Sequence, residues 1–171
     1  NDIVYKTILI LEQNGDKMSV SLPLKLTSKG FEFTVSGNTL NTFLMNVYGA
    51  SSVDSLTEEQ ASSTADDIFK YMRGKDLFNI SETYSDEAAL KILAVRYEIW
   101  LNRYQQYMSV QLADGISEES YAAIKENSDE LLGMEVSVES HRVYNDSVYF
   151  AQIIGYIGNI SNEELEKYNE T

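Results

Sequence analysis

A single histidine, His141, no cysteine and 27 carboxylates bound the chemistry open to this 171-residue chain. A nucleophilic triad needs serine, histidine and an acid brought together, and no G-x-S-x-G elbow accompanies His141. That histidine follows an alternating segment and precedes Arg142, so a structural or solvent-facing role is its simpler reading. Without cysteine, and with one histidine, thiol catalysis, iron–sulfur clusters and multi-ligand zinc sites are excluded within one chain. Calcium loops of alternating Asp and Asn are missing, as is a glycine-rich phosphate loop; nine glycines are scattered at element ends. No metal and no cofactor is therefore expected. Two facing carboxylates could hydrolyse a glycan, but the spacing marks no one pair among 27.

The stretch 140–165 carries a more specific pattern. Arg142 is the one cation between Lys125 and Lys167 and sits among Glu135, Glu139 and Asp146. A permanently charged, fork-shaped donor in that company is expected to bridge carboxylates or carbonyls. Gly155 and Gly158, three apart beyond an apolar run, suit a helix stop and a close backbone approach. This reads as packing rather than catalysis. The twelve tyrosines are spread over the whole chain. Some could form a sugar-binding platform, but rings closing the rim of a core with hydroxyls at water explain them more simply.

The elements that position these residues follow from periodicity. Ile3, Val4, Thr7, Ile8 and Leu11 share one helical face, and Asn14-Gly15-Asp16 ends that helix. Residues 18–35 look extended, with Pro23 arguing against a central strand. Leu40, Phe43, Leu44 and Val47 predict a helix that stops at Gly49, and Ser36-Gly37-Asn38 before it reads as a turn and N-cap. Thr57-Glu58-Glu59-Gln60 has the form of a capping box and predicts one helix through Ile68, Phe69 and Met72 to Gly74. A further helix starts at Ser85, with Leu90, Leu93, Ala94, Tyr97 and Leu101 on one face and Arg96 and Arg103 on or beside it. Lone acids such as Glu12 and Glu98 are expected on a solvated face. The period then changes to two. Residues 108–113 and 134–139 alternate as half-buried strands do, with a short helix from Ser117 through Tyr121 and Ile124 between them. A short helix ending near Gly155 and another capped by Ser161 are expected over 148–171. The fold class is α+β: a mainly helical head-like part, residues 1–105, and a β–α–β pedestal part, residues 106–171, unless the two form one continuous domain.

Net charge is −14. Phosphate recognition depends on Lys and Arg, so nucleic acid is excluded as a partner and anionic lipid is disfavoured. The surplus is uneven: residues 1–113 hold 14 acids and 10 bases, residues 114–171 hold 13 acids and 3 bases. Apolar runs stop at about four residues, too short to span a bilayer. With no initiator Met and no signal peptide at Asn1, the chain is expected to be a piece of something longer.

The motif in 140–165 resembles the pedestal motif of class B penicillin-binding proteins, Arg-x-Tyr-Pro-x-Gly, then Ala-His, then apolar-apolar-Gly-Tyr-apolar-Gly. It stands here as Arg142, Tyr144, Ala151, Ile153, Ile154, Gly155, Tyr156, Ile157 and Gly158, with Asn145, Ser147 and Gln152 departing from the pattern. The stretches 116–127, 132–136 and 160–165 are similar to the family's flanks, and the likeness covers about residues 85–165. The resemblance implies a membrane-anchored bacterial enzyme that cross-links peptidoglycan through an acylated serine. This chain has no Ser-x-x-Lys and no Lys-Thr/Ser-Gly, and its Ser36-Gly37-Asn38 stands alone. It therefore looks like the non-catalytic N-terminal dimerisation or pedestal domain, with no catalytic residues of its own. The structural motif implied is Arg142, Tyr144, Ala151, Gly155, Tyr156 and Gly158. Expected partners are the transpeptidase domain of the parent chain and either a second copy or proteins of cell-wall synthesis and division. The expected location is the extracytoplasmic face of the bacterial cytoplasmic membrane. A free-standing acidic binding module and a wall-glycan hydrolase are the alternatives.

Overall fold

The computed structural model describes residues 1–105, 107 and 109–139. Its contacts divide the chain into two units, residues 1–136 and residues 137–171. The described part contains six helices, a 3-10 turn and one antiparallel hairpin, which is the α+β class.

Helix α1 (Asp2–Gln13) buries the residues its spacing predicts: Val4, Thr7, Ile8 and Leu11. The chain turns at Gly15, which takes φ +80°, and the Asp16 N–H returns to the Leu11 carbonyl at 2.8 Å. Strands β1 (Leu24–Thr27) and β2 (Gly30–Phe33) pair with Leu24 opposite Phe33 and Thr27 opposite Gly30. In a two-stranded sheet each strand is an edge, so Pro23 immediately before β1 breaks no ladder. Gly30 is required twice over: its φ is +119°, and a Cβ there would lie 3.2 Å from the Asp66 carboxylate. Helix α2 (Gly37–Tyr48) buries Phe43, Leu44 and Val47 and ends on Gly49 at φ +69°, the left-handed C-terminal stop its sequence announces.

The single helix expected from Thr57 to Gly74 is two. Helix α3 (Glu58–Ala61) ends after one turn, and α4 (Ala65–Arg73) starts afresh. Thr64 builds a second capping box: its Oγ1 accepts from the Asp67 N–H at 3.2 Å, and Asp67 Oδ2 accepts from the Thr64 N–H at 3.0 Å. Ser62 and Ser63 donate back to the Glu58 and Glu59 carbonyls at 2.7 and 2.9 Å. These local side-chain bonds compete with helix propagation and break it.

Helix α5 (Asp86–Leu101) is the centre of the core. Ser85 caps it by accepting from the Ala88 N–H at 3.2 Å. It buries Ala88, Ala89, Ile92, Leu93, Ala94, Val95 and Tyr97, a wider arc than the single face expected, because α1, α4 and β1 all pack on it. Leu101, expected on the buried face, lies at the end of the helix and is exposed. Helix α6 (Glu118–Glu126) lies against α1, where Ile124 and Leu131 enclose Leu11.

The strands expected at 108–113 and 134–139 do not form in the described residues, so the β–α–β reading is corrected. Residues 109–113 and 134–139 carry no strand pairing, although their alternation is real as burial. Val110, Met134 and Val136 are half-buried between exposed neighbours, and Leu112 is half-buried beside an exposed Gln111 and a half-buried Ala113. Leu112 and Met134 rest on the main core, and one backbone bond, from the Ser19 N–H to the Leu112 carbonyl at 2.8 Å, ties the first segment down. A period of two reports one side against a core; it does not require a neighbouring strand. The helices expected over 148–171 lie outside the described residues.

Candidate functional site

Arg142, Tyr144, Ala151, Gly155, Tyr156 and Gly158 lie outside the described residues, as does His141. Two clefts and one partly buried latch stand out among the residues that are described.

The first cleft, about 370 Å³, opens at the C-terminal end of α5 and is lined by Phe78, Arg96, Ile99, Trp100, Asn102, Arg103, Gln105 and Val110. Arg96, Ile99 and Trp100 fall on one face of α5 by their i, i+3, i+4 spacing, and Arg103 follows in the turn just beyond its end. Trp100 is fixed by its indole N–H to the Asn46 carbonyl at 3.4 Å and by an edge-to-face contact with Phe78, centroids 6.3 Å apart. The Arg103 guanidinium lies 4.3 Å from the Trp100 ring centroid and 4.5 Å from that of Tyr104, and it donates to the Trp100 carbonyl at 2.9 Å. Arg96 stands 5.8 Å from the Phe78 centroid, and its buried Nε has no hydrogen-bond partner among the described residues. Sequence reasoning placed both arginines on or beside this helix and gave them no role. The cation–aromatic–cation spacing around the one tryptophan was the signal available.

The second cleft, about 620 Å³, surrounds Arg73 and includes Asp66, Glu82 and Asp86. Arg73 Nη1 pairs with Asp86 at 2.7 Å, and Nη2 donates to the Ser81 and Tyr84 carbonyls at 2.9 and 2.7 Å. Asp66 accepts the Phe31 N–H at 3.3 Å, beneath the Phe31–Phe69 stack. Arg73, Asp86 and Asp66 thereby join α4, the 81–85 segment and the hairpin, with the buried Arg73 Nε left without a partner among the described residues. Tyr84 donates to the Asp2 carboxylate, and that bond, with burial behind it, pushes the phenol up to about 12. Tyr84 acts as a tie for the start of α1.

The latch joins α1 to α6. Asp16 accepts from the Ser117 N–H at 3.1 Å and from its hydroxyl at 2.7 Å, Ser117 Oγ accepts from the Ser120 N–H at 3.2 Å, and Asn14 Nδ2 donates to the buried Ser120 Oγ at 3.1 Å. The hydroxyls of Ser120 and Ser117 hold the Asp16 carboxyl below its ordinary value.

The tyrosines follow the core-rim reading in part. Tyr5 meets Tyr84 edge-on, Tyr48 tilts on Tyr71, and Tyr97 is buried against Phe43 with its oxygen accepting from Asn46. Tyr104 and Tyr107 are instead exposed beyond the end of α5. Among the described residues no cluster of His, Asp or Glu is arranged to hold a metal ion, and no helix is long and apolar enough to cross a membrane. Among the described residues, the first cleft presents an aromatic surface with two guanidinium groups at its edge.

No curated protein matches the chain. The family model of the penicillin-binding protein dimerisation domain matches residues 7–171, nearly the whole sequence and well beyond the region that carries the motif. The chain belongs to the penicillin-binding protein dimerisation domain family, and is a non-catalytic module rather than an enzyme in itself.

Proposed function

We propose that this module positions the transpeptidase domain of a class B penicillin-binding protein at the extracytoplasmic face of the bacterial membrane and offers surfaces to other components of cell-wall synthesis. The observation that carries this reading is the family match over residues 7–171 of a chain without Ser-x-x-Lys. In this reading Arg142, Tyr144, Ala151, Gly155, Tyr156 and Gly158 form the packing motif beside the catalytic domain. The acidic surplus of 114–171 keeps that segment solvated. The decisive test reads the coding sequence beyond Thr171 for a Ser-x-x-Lys domain. A parent chain ending near Thr171 favours a free-standing acidic binding module instead. For the chain itself, a fluorescent penicillin is expected to leave no covalent label; stoichiometric labelling overturns the non-catalytic assignment. Arg142→Ala is expected to lower the melting temperature, and a wild-type melt removes the structural role proposed for that side chain.

A further inference from the structure

We propose that the Arg96–Trp100–Arg103 cleft docks an acidic, apolar peptide segment of a second protein. The inference rests on the reading of the chain as an interaction module and names the chemistry of what that module takes.

Three observations carry it. First, Arg96 and Arg103 form no ion pair among the described residues; Lys17, Lys29, Lys70, Lys75 and Lys125 share that, but the two arginines stand together on a cleft that no carboxylate lines. In a chain of net charge −14 these two guanidinium groups make a local positive site in an acidic field. Second, Arg96 has a buried Nε–H without an acceptor in a cleft walled by aromatic rings. A buried donor left unpaired is costly, and an incoming carboxylate oxygen relieves that cost while gaining a charge-assisted bond. Third, the cleft is open and partly apolar: Ile99, which lines it, is 42% exposed, and Tyr104, beside Arg103, is 84% exposed. Trp, Tyr and Arg gathered around a pocket are the residue types that dominate binding energy at protein interfaces.

Charge complementarity selects the occupant. The cleft holds roughly one or two side chains, a volume at the low end for ligand pockets. An acidic residue next to a leucine or phenylalanine satisfies both the guanidinium groups and the apolar rim. The acidic remainder of the molecule repels any anion, so a short segment that places one or two carboxylates in the cleft is favoured over a phosphate polymer or an anionic lipid surface, which lays many charges against it.

Trp100 is the one tryptophan of the chain, so its emission reads this cleft directly. The probe is a blocked peptide alternating glutamate with leucine, titrated into the full chain. A saturable shift in Trp100 emission is expected, and R96Q and R103Q are each expected to weaken it by about tenfold or more. Ile99→Glu, at an exposed position, is expected to abolish it with an unchanged melting temperature. That variant keeps the test sound where an arginine variant folds poorly. Four outcomes overturn the proposal: no response to the peptide; an equal response to the lysine–leucine counterpart; the same response to sodium acetate at equal carboxylate concentration; or an emission change on concentrating the protein alone, which assigns the cleft to a second copy. Penicillin labelling and the downstream coding sequence do not depend on this result, so failure here and failure of the functional reading remain separable.

Discussion

Arg73 shows how much one side chain can hold. It is 14% exposed, pairs with Asp86, and satisfies two carbonyls from the segment that leads into α5. Lysine keeps the charge but loses the fork, so it cannot serve all three acceptors. Arg73→Lys is expected to cost about 1–2 kcal/mol, and Arg73→Met, which leaves Asp86 and two carbonyls without their donor, about 2–4 kcal/mol. Urea unfolding measures both, and equal stabilities for the two variants would remove the argument from fork geometry. Asp16 gives a pH signature instead. Its pKa lies below the ordinary 3.8 in the folded state. A depressed carboxylate contributes stability that is fully present above the unfolded value and is lost as pH falls through the folded one. Wild type and Asp16→Asn are therefore expected to melt apart at pH 6–7 and to converge below 3.8, as the wild-type carboxyl protonates. Asp67, lowered by the Thr64 hydroxyl and backbone N–H, follows the same sign. A difference that persists unchanged at pH 2.5 would show that the Asp16 charge is not what matters.

At the level of elements, the sequence is legible where a repeating face meets its stop signal. Helix α1 has its four buried positions and its Asn-Gly turn, α2 has Gly49, and α6 has Ser117 with two acids behind it. It misleads where one pattern has two physical causes. Alternation at 110–112 and 134–136 arises from chain lying along a core, which a strand ladder would have imitated. The Ser62-Ser63-Thr64 run was readable as a break, since three hydroxyls in succession compete for helix carbonyls, but the capping box at Thr57 drew one helix through it. The two caps now predict a contrast. Thr64→Ala removes the start of α4, which buries Ala65, Ile68, Phe69 and Met72, and is expected to cost about 1 kcal/mol. Thr57→Ala caps a single turn that buries nothing and is expected to cost a few tenths. Helix α5 offers the same kind of test. Ile92, fully buried, is expected to lose about 2–5 kcal/mol on truncation to Ala, whereas Leu101, at 38% exposure, is expected to lose under about 1 kcal/mol. Chemical denaturation of the two pairs reads both contrasts, and near-equal costs within either pair would contradict the burial assigned here. The α5 cleft itself was only half legible: its helical spacing is in the sequence, but Phe78 and Val110 reach it through tertiary folding.

For the molecule as a whole, the competing terms are a few attractive pairs and a large repulsive surplus. Lys6–Glu130 and Lys25–Glu32 are more than 40% exposed on both sides, the class worth about 0–1 kcal/mol each. Against them stands a net charge of −14, weighted toward residues 114–171. Exposed like charges within a Debye length of about 10 Å at 0.1 M salt destabilise the compact state, and added salt relieves that repulsion as it weakens the surface pairs. With acids outnumbering bases two to one, relief outweighs loss. The melting temperature is expected to rise by about 2–5 °C as sodium chloride goes from roughly 10 mM to 0.5 M. Glu126→Gln, at the exposed C-terminal end of α6 with no cation partner among the described residues, is expected to raise it slightly at low salt and to shrink the salt response. A melting temperature that falls with sodium chloride reverses the ranking and makes attractive pairs, led by Lys91 between Glu12 and Glu87, the dominant charge term. The rising arm instead makes the acidic surplus a standing cost that folding bears.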